Sequence, residues 1–140
     1  MIYHFQVHEE QGGYWAECLE IKGVVTQGDT HAELEANAKE ALELCLDEPE
    51  DSKMVFSLPK EYKGRNIIQV EVEPSIAFAI LVRQARNAHG FTQKQAARAM
   101  GFKGLYSYQR LESGRHCNPA LSTIAKVRKV FPEVDLSLVC

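Results

Sequence analysis

The sequence predicts an α+β fold in two domains. Residues 1–73 are expected to form a small antiparallel sheet with one helix, and residues 75–140 an all-α domain with a short terminal strand. Period-two alternation near the N-terminus predicts strands, whereas the later segments carry the apolar spacing of helices. Charge divides at the same place, because residues 1–75 carry 6 basic and 16 acidic residues and residues 76–140 carry 10 and 3. The two domains should therefore attract different partners.

Three strands are expected at the start of the first domain. Ile2–His8 alternates between apolar and polar side chains, as a half-buried strand does. The Gly12-Gly13 pair supplies the positive φ that a tight hairpin requires, and Tyr14–Cys18 returns as the second strand. A third strand follows at about Gly23–Gln27.

One helix follows these strands. Thr30 and Glu33 have the spacing of a capping box, which predicts that a helix begins at His31. Apolar residues recur at helical spacing from there until Pro49 ends the helix. The remaining strands of the first domain are expected at Met54–Leu58 and Ile67–Val72.

The first domain is not expected to be an enzyme. A nuclease of the two-metal type needs several carboxylates that converge on divalent ions, and the first strand has none while Glu17 stands alone on the second. His4 and His8 are four residues apart, about 13 Å along an extended strand, so we expect ordinary surface histidines. The four cysteines form no CxxC pair. We predict no catalytic residue, no metal site and no cofactor.

The remaining composition predicts a cytoplasmic protein. The longest apolar run, Ile76–Val82, is far shorter than the roughly 20 residues of a membrane span. The N-terminus lacks the basic-then-apolar layout of a signal peptide. With a net charge of −10, residues 1–75 should attract a basic protein, and with +7 residues 76–140 should attract phosphates.

The most informative segment is Phe91–Gly114, which predicts a helix-turn-helix. Its first helix begins after Thr92 as N-cap and closes at Gly101. The second runs from about Leu105 to Ser113. Two helices this short are stable only when packed on neighbours, and this arrangement is typical of proteins that read DNA.

Further helices are expected on both sides of this motif. Ser75 can cap a helix over Ile76–Ala88, and Leu121–Phe131 has the spacing of another amphipathic helix. The tail Val134–Val139 alternates strictly and is predicted to pair with its copy in a second chain, giving a homodimer. A tail packed back on its own domain is the alternative.

The second domain resembles Xre/Cro-type repressor domains. Both have an arginine before a Gly-aromatic-Thr-Gln sequence, an alanine in the second helix and a closing Leu-Glu-x-Gly. The matching residues here are Arg86, Phe91-Thr92-Gln93, Ala97, Gly101 and Leu111-Glu112-Ser113-Gly114. The resemblance implies that Arg86 and Glu112 form a buried structural ion pair, and that double-stranded operator DNA is the ligand.

The resemblance also implies which residues contact DNA. A helical wheel places Tyr106, Ser107 and Arg110 outward, Gln109 at the margin and Leu105 inward. Arg110 is chemically the best suited to contact a base, because a guanidinium can donate twice to guanine. The implied base contacts are Leu105, Tyr106, Ser107 and Arg110, and Gln109 at the margin is also expected to bind DNA. The implied phosphate contacts are Gln93, Arg115, His116 and Asn118.

The first domain carries a second resemblance, over about Ile2–Glu48. Its hairpin sequence GGYW followed by VVTQGDTHAELEANAKEALELCLDE is similar to the N-terminal domain of HicB-type antitoxins. That resemblance implies a truncated ribonuclease-H-like fold without ribonuclease activity. It also implies a partner, a HicA-type messenger-RNA interferase, which is a basic protein.

Together the two resemblances predict the antitoxin of a type II toxin-antitoxin pair that blocks its toxin and represses its own operon. One alternative is a stand-alone helix-turn-helix regulator whose first domain senses a small ligand or a protein. Another is an enzyme of ribonuclease-H type, which would require metal-dependent cleavage by the first domain.

Overall fold

A computed structural model describes residues 1–49 and 52–140 and shows the predicted α+β fold. Contacts divide the chain into two compact units. The first unit contains Met1–Leu46 and Phe56–Glu73, and the second contains Pro74–Cys140 with the described part of 47–55. In chain order the elements are β1 (Ile2–Glu10), β2 (Gly13–Cys18), β3 (Val25–Gly28), α1 (His31–Leu46), β4 (Ile67–Glu71), α2 (Pro74–Ala88), α3 (Gln93–Ala99), α4 (Leu105–Gln109), a 3-10 turn (Arg110–Glu112), α5 (Leu121–Val130) and a second 3-10 turn (Leu136–Leu138).

The first unit is a four-stranded antiparallel sheet in the order β3-β2-β1-β4. The alternation predicted for the first strand is confirmed, since Tyr3, Phe5 and Val7 are buried on one face. Helix α1 packs on this face of the sheet. It buries residues at helical spacing, namely Leu34, Ala38, Leu42 and Leu46. This face is the core of the unit.

Two turns set the geometry of the sheet. In the β1–β2 hairpin the positive φ angles belong to Gln11 and Gly12, 48° and 81°, so the expectation for the pair Gly12-Gly13 is wrong by one residue. Gly13 already belongs to β2 because it pairs with Glu10. At the end of β3, a Cβ on Gly28 would lie 2.6 Å from the Leu34 amide nitrogen, so only glycine allows this approach.

Helix α1 begins at His31, as predicted. The Thr30 hydroxyl oxygen accepts a hydrogen bond from the Glu33 amide at 3.1 Å. The Glu33 carboxylate accepts from the Asp29 amide at 3.2 Å, one residue before the position that a complete capping box would use. The helix ends at Leu46, before Pro49.

The strand predicted at Met54–Leu58 is wrong, because these residues form neither strand nor helix. Phe56 is buried, whereas Met54 and Val55 are exposed, so the segment has no alternating face. β4 pairs with β1 from Ile2 to Gln6 and occupies the edge that another strand would need. The acidic run at 47–51, which is expected to be a loop, includes residues that lie outside the described part of the chain.

The second unit contains the predicted helices with shifted ends. Helix α2 begins at Pro74, so Ser75 is its second residue and not its cap. Proline suits a first helical position, because the amide hydrogen it lacks would have no partner within the helix. The second helix of the motif was expected to reach Ser113, but it tightens into a 3-10 turn from Arg110.

The prediction of a terminal strand is wrong. Leu136–Leu138 is a 3-10 turn, and the Asp135 carboxylate accepts from both the amide and the hydroxyl of Ser137 at 2.9 and 2.6 Å. Val134 and Val139 are buried within the chain. The tail therefore folds back, as in the alternative, because a local cap competes with the extended conformation. No helix in the described part of the chain is long and apolar enough to cross a membrane.

Candidate nucleic-acid interface

A buried ion pair holds the helix-turn-helix motif together. Arg86 on α2 donates from Nε to Glu112 Oε2 at 2.7 Å and from Nη2 to Oε1 at 2.9 Å. Its third nitrogen, Nη1, donates to the Phe91 carbonyl at 2.8 Å. The pair thus joins α2, the loop before α3 and the 3-10 turn after α4. Two parallel charge-assisted bonds also fix their relative orientation.

The charges around this pair are buried. Burial lowers the pKa of Arg86, but the hydrogen bond and negative charge of Glu112 outweigh it, and the net shift is upward. Tyr108 is fully buried nearby, and its pKa is raised by burial and by the charge of Glu112. Burial lowers the pKa of Arg83, one turn before Arg86, although Glu112 and Glu48 oppose that shift. These groups form the polar core of the unit.

The first helix of the motif has a complete capping box. The Thr92 hydroxyl accepts from the Gln95 amide at 3.1 Å, and the Gln95 side chain accepts from the Thr92 amide at 2.8 Å. Gly101, at φ 77°, adopts the left-handed conformation that ends the helix. These end signals fix the position of α3, whose first residue is Gln93.

The outward face of α4 carries most of the expected base contacts. Tyr106 is 72% exposed, and Ser107 and Arg110 are also exposed. Leu105 was expected to point inward, but it is 41% exposed. Helix α4 is only about one turn long, so Tyr108 and the following 3-10 turn form its buried side. Leu105, the first residue of the helix, lies outside that buried side.

Two of the expected contact residues meet each other. Gln109 Nε2 donates to Gln93 Oε1 at 3.2 Å, which joins the margin of α4 to the start of α3. Both side chains are half-buried. This hydrogen bond fixes two amide groups at the border of the exposed face.

The structure brings five expected contact residues around one hollow. Its wall contains Tyr106, Ser107, Arg110, His116 and Asn118. Asparagine, serine, arginine and imidazole groups are all suited to hydrogen bonds with phosphate or base edges. The hollow therefore combines these polar groups with apolar lining from Phe102, Leu111, Pro119 and Ala120.

Arg115 does not line this hollow. Its side chain is 79% exposed, and Nε lies 3.6 Å from Asp47 Oδ2. An exposed pair at this distance is weak. The guanidinium can therefore reach a phosphate, but the Asp47 charge opposes that contact.

Sequence reasoning missed a basic group on the other side of α4. Lys94, Arg98 and Lys103 line a second hollow that also contains Leu105. Lys126 lies with its ammonium group 5.6 Å from the centre of the Phe102 ring. The signal was present, because Lys94 and Arg98 are four residues apart and so share one face of α3.

A second buried polar cluster, also missed, lies in the first unit. Glu20 Oε1 accepts from the His4 amide at 2.9 Å, and Oε2 accepts from the Lys60 amide at 3.3 Å. The Nδ1 atom of the His4 ring lies 2.9 Å from the same Oε2. The ring of His4 also packs on Tyr62. The prediction that His4 is a surface residue is wrong, because Glu20 and Tyr62 cover it. The cluster is structural, since its groups are satisfied by one another.

Comparison with known families agrees with the geometry of the second unit. Residues 82–139 match the helix-turn-helix family. This range includes every element from α2 onward except the first turns of α2. The chain therefore carries a helix-turn-helix domain of the Xre type, as predicted.

The chain is also similar to curated proteins. It is 31% identical over 91 residues to the proteins named Antitoxin HicB of Escherichia coli K12 and of Escherichia coli O157:H7, covering 65% of this chain and 65% of theirs. It is 51% identical over 39 residues to a UPF0150 protein of Synechocystis sp., covering 28% of this chain and 54% of that protein. The chain thus spans between half and two thirds of the length of these relatives.

Proposed function

We propose that this protein is the antitoxin of a type II toxin-antitoxin pair. Residues 1–73 bind and block a basic, HicA-type messenger-RNA-cleaving toxin, and residues 75–140 bind the operator of its own operon as a homodimer. The observation that carries the proposal is the similarity to the two Escherichia coli antitoxins. Both partners act in the cytoplasm, so we place the protein there.

The length of that similarity supports a role for both units. Any segment of 91 residues in a chain of 140 must include residues 50–91. It therefore contains β4 of the first unit together with α2 of the second. A similarity confined to the DNA-binding motif would favour a stand-alone regulator, and this one is not confined to it.

The exposed face of the second unit supports DNA binding. Arg110 is exposed, and its guanidinium can donate twice to a guanine in the major groove, with Leu105, Tyr106 and Ser107 beside it in sequence. Gln109 lies at the margin of this face and is fixed by Gln93. The phosphate contacts are Gln93, Arg115, His116 and Asn118.

A symmetric dimer is part of the proposal, because one helix-turn-helix unit reads only half of a palindromic operator. The folded tail does not supply an intermolecular ribbon. On α5, Leu121 is 85% exposed, which gives the second unit an apolar residue that a second copy can cover.

The test is to co-express this chain with the protein encoded by the adjacent open reading frame and to purify the complex. We expect a stable complex, and RNA cleavage by the isolated partner that stops when this chain is added. If the adjacent protein neither binds nor cleaves RNA, the antitoxin role is overturned. A small ligand that alters DNA binding would then support the regulator.

A further inference from the structure

One edge of the sheet in the first unit is open. β3 is the last strand in the sheet order, so the peptide groups on its outer side point away from β2. Val25 on this strand is 54% exposed. Two residues further along, the Gln27 carbonyl accepts a hydrogen bond from Asn37 Nδ2 of α1 at 2.8 Å, which ties the strand to the helix.

A groove follows this edge and is acidic. Three carboxylates line it, those of Glu10, Asp29 and Glu33. The half-buried ring of Trp15 also lines it and stacks on His8 with ring centres 4.0 Å apart. No lysine or arginine belongs to the groove in the described part of the chain, so its negative charge has no compensating neighbour in the lining.

The chemistry of the groove selects among possible occupants. Nucleic acid is disfavoured, because phosphates would face three carboxylates. A second copy bound through the same groove is also disfavoured, because a two-fold contact places each patch against itself and the carboxylates would repel. A protein surface with lysine or arginine around an apolar side chain is complementary to the groove in charge and polarity.

We propose that the groove beside β3, lined by Glu10, Trp15, Val25 and Asp29, is where a small basic protein docks on this chain. Basic side chains of the partner pair with the carboxylates, and an apolar side chain packs on Trp15 and Val25. Tryptophan is enriched among the residues that contribute most to binding at interfaces, and the rim around such residues is polar. This inference rests on the proposed function and adds to it the surface that the toxin occupies.

The experiment compares two double variants with the same change in net charge. Glu10→Lys/Asp29→Lys reverses two exposed carboxylates of the groove, and Glu40→Lys/Glu61→Lys reverses two exposed carboxylates outside it. Binding of the purified protein encoded by the adjacent open reading frame is measured by titration calorimetry. Val25→Lys is a third variant, which tests the apolar strip with one exposed substitution.

We expect the groove variant to bind roughly 100-fold more weakly and the control within about threefold of the parent, because like charges at a contact are strongly disfavoured. Circular dichroism and thermal unfolding of the same preparations, compared with the parent, show that the first unit, which carries all of these substitutions, is folded. Equal weakening of both double variants would mean that only net charge matters, and full binding by the groove variant would place the partner elsewhere. Either result overturns the groove and leaves the antitoxin role standing. No binding by the parent overturns both.

Discussion

Among the residues that the structure describes, each unit buries one glutamate, and the two are satisfied in different ways. Glu112 in the second unit faces a guanidinium, and both of its oxygens accept from Arg86. Glu20 in the first unit faces an imidazole and two backbone amides, from His4 and Lys60. A guanidinium stays charged at any pH that a protein meets, so Glu112 has a permanent counter-charge. Glu20 depends mainly on hydrogen bonds.

This difference separates two kinds of structural task. The Arg86–Glu112 pair joins two residues that are 26 positions apart and fixes the 3-10 turn that carries Arg110. The Glu20 cluster fixes irregular chain, since Lys60 lies in a segment without helix or strand. Planar bidentate pairing suits the first task because it sets an orientation. A carboxylate with several separate donors suits the second.

The largest effect is expected from Glu112→Ala. The substitution leaves the buried charge of Arg86 without its partner, which should lower the free energy of unfolding by about 3 kcal/mol or more. The measurement is denaturant unfolding followed by circular dichroism, because the second unit holds most of the helices. The control is Glu133→Ala, which removes an exposed partner of His89 and should cost less than about 1 kcal/mol. Equal costs for the two variants would mean that the buried pair has no special role.

A smaller effect is expected from Glu20→Ala. The amides of His4 and Lys60 lose their acceptor, which should cost about 2 kcal/mol, and Glu20→Gln should recover part of it by keeping one oxygen. Trp15 is the only tryptophan and lies in the first unit, so its fluorescence follows the unfolding of that unit. Glu17→Ala is the control, because its contact with His8 is half exposed. A Glu20→Ala cost no larger than that of Glu17→Ala would contradict the structural role.

The two glutamates also show what sequence can predict. The Arg86–Glu112 pair was predictable because the resemblance to Xre/Cro-type repressor domains implies it. His4 and Glu20 carry no such signal, because alternation placed His4 on the outward face, and the residues that cover it, Glu20 and Tyr62, are distant in sequence. The starts of α1 and α3 were predictable because their capping residues are local. The cap predicted at Ser75 failed because α2 begins one residue earlier, at Pro74. The strand expected at Met54–Leu58 and the terminal strand failed because long-range pairing and a local cap at Asp135 decide them.

Two neighbours in sequence should separate stability from recognition. Arg110→Ala removes an exposed side chain two residues before Glu112, so it should leave stability almost unchanged and weaken specific DNA binding by about 1–3 kcal/mol. Binding is measured by fluorescence anisotropy with an operator selected in vitro, over a range of salt concentrations. Lys129→Ala, an exposed charge on α5, is the control. Unchanged affinity of the Arg110 variant would refute its role in base contact.

The smallest effects are expected at the two capping threonines, one in each unit. Thr92 forms a reciprocal capping box with Gln95. At the start of α1, by contrast, the Glu33 carboxylate accepts a hydrogen bond from the Asp29 amide instead of the Thr30 amide. Either threonine replaced by alanine should lower stability by about 1 kcal/mol. Only Thr92→Ala should also weaken DNA binding, because α3 begins with Gln93 and that residue holds Gln109 on the exposed face. Thermal unfolding and anisotropy on the same two variants measure both quantities. An equal loss of DNA affinity in Thr30→Ala would show that general destabilisation, and not the position of α3, controls binding.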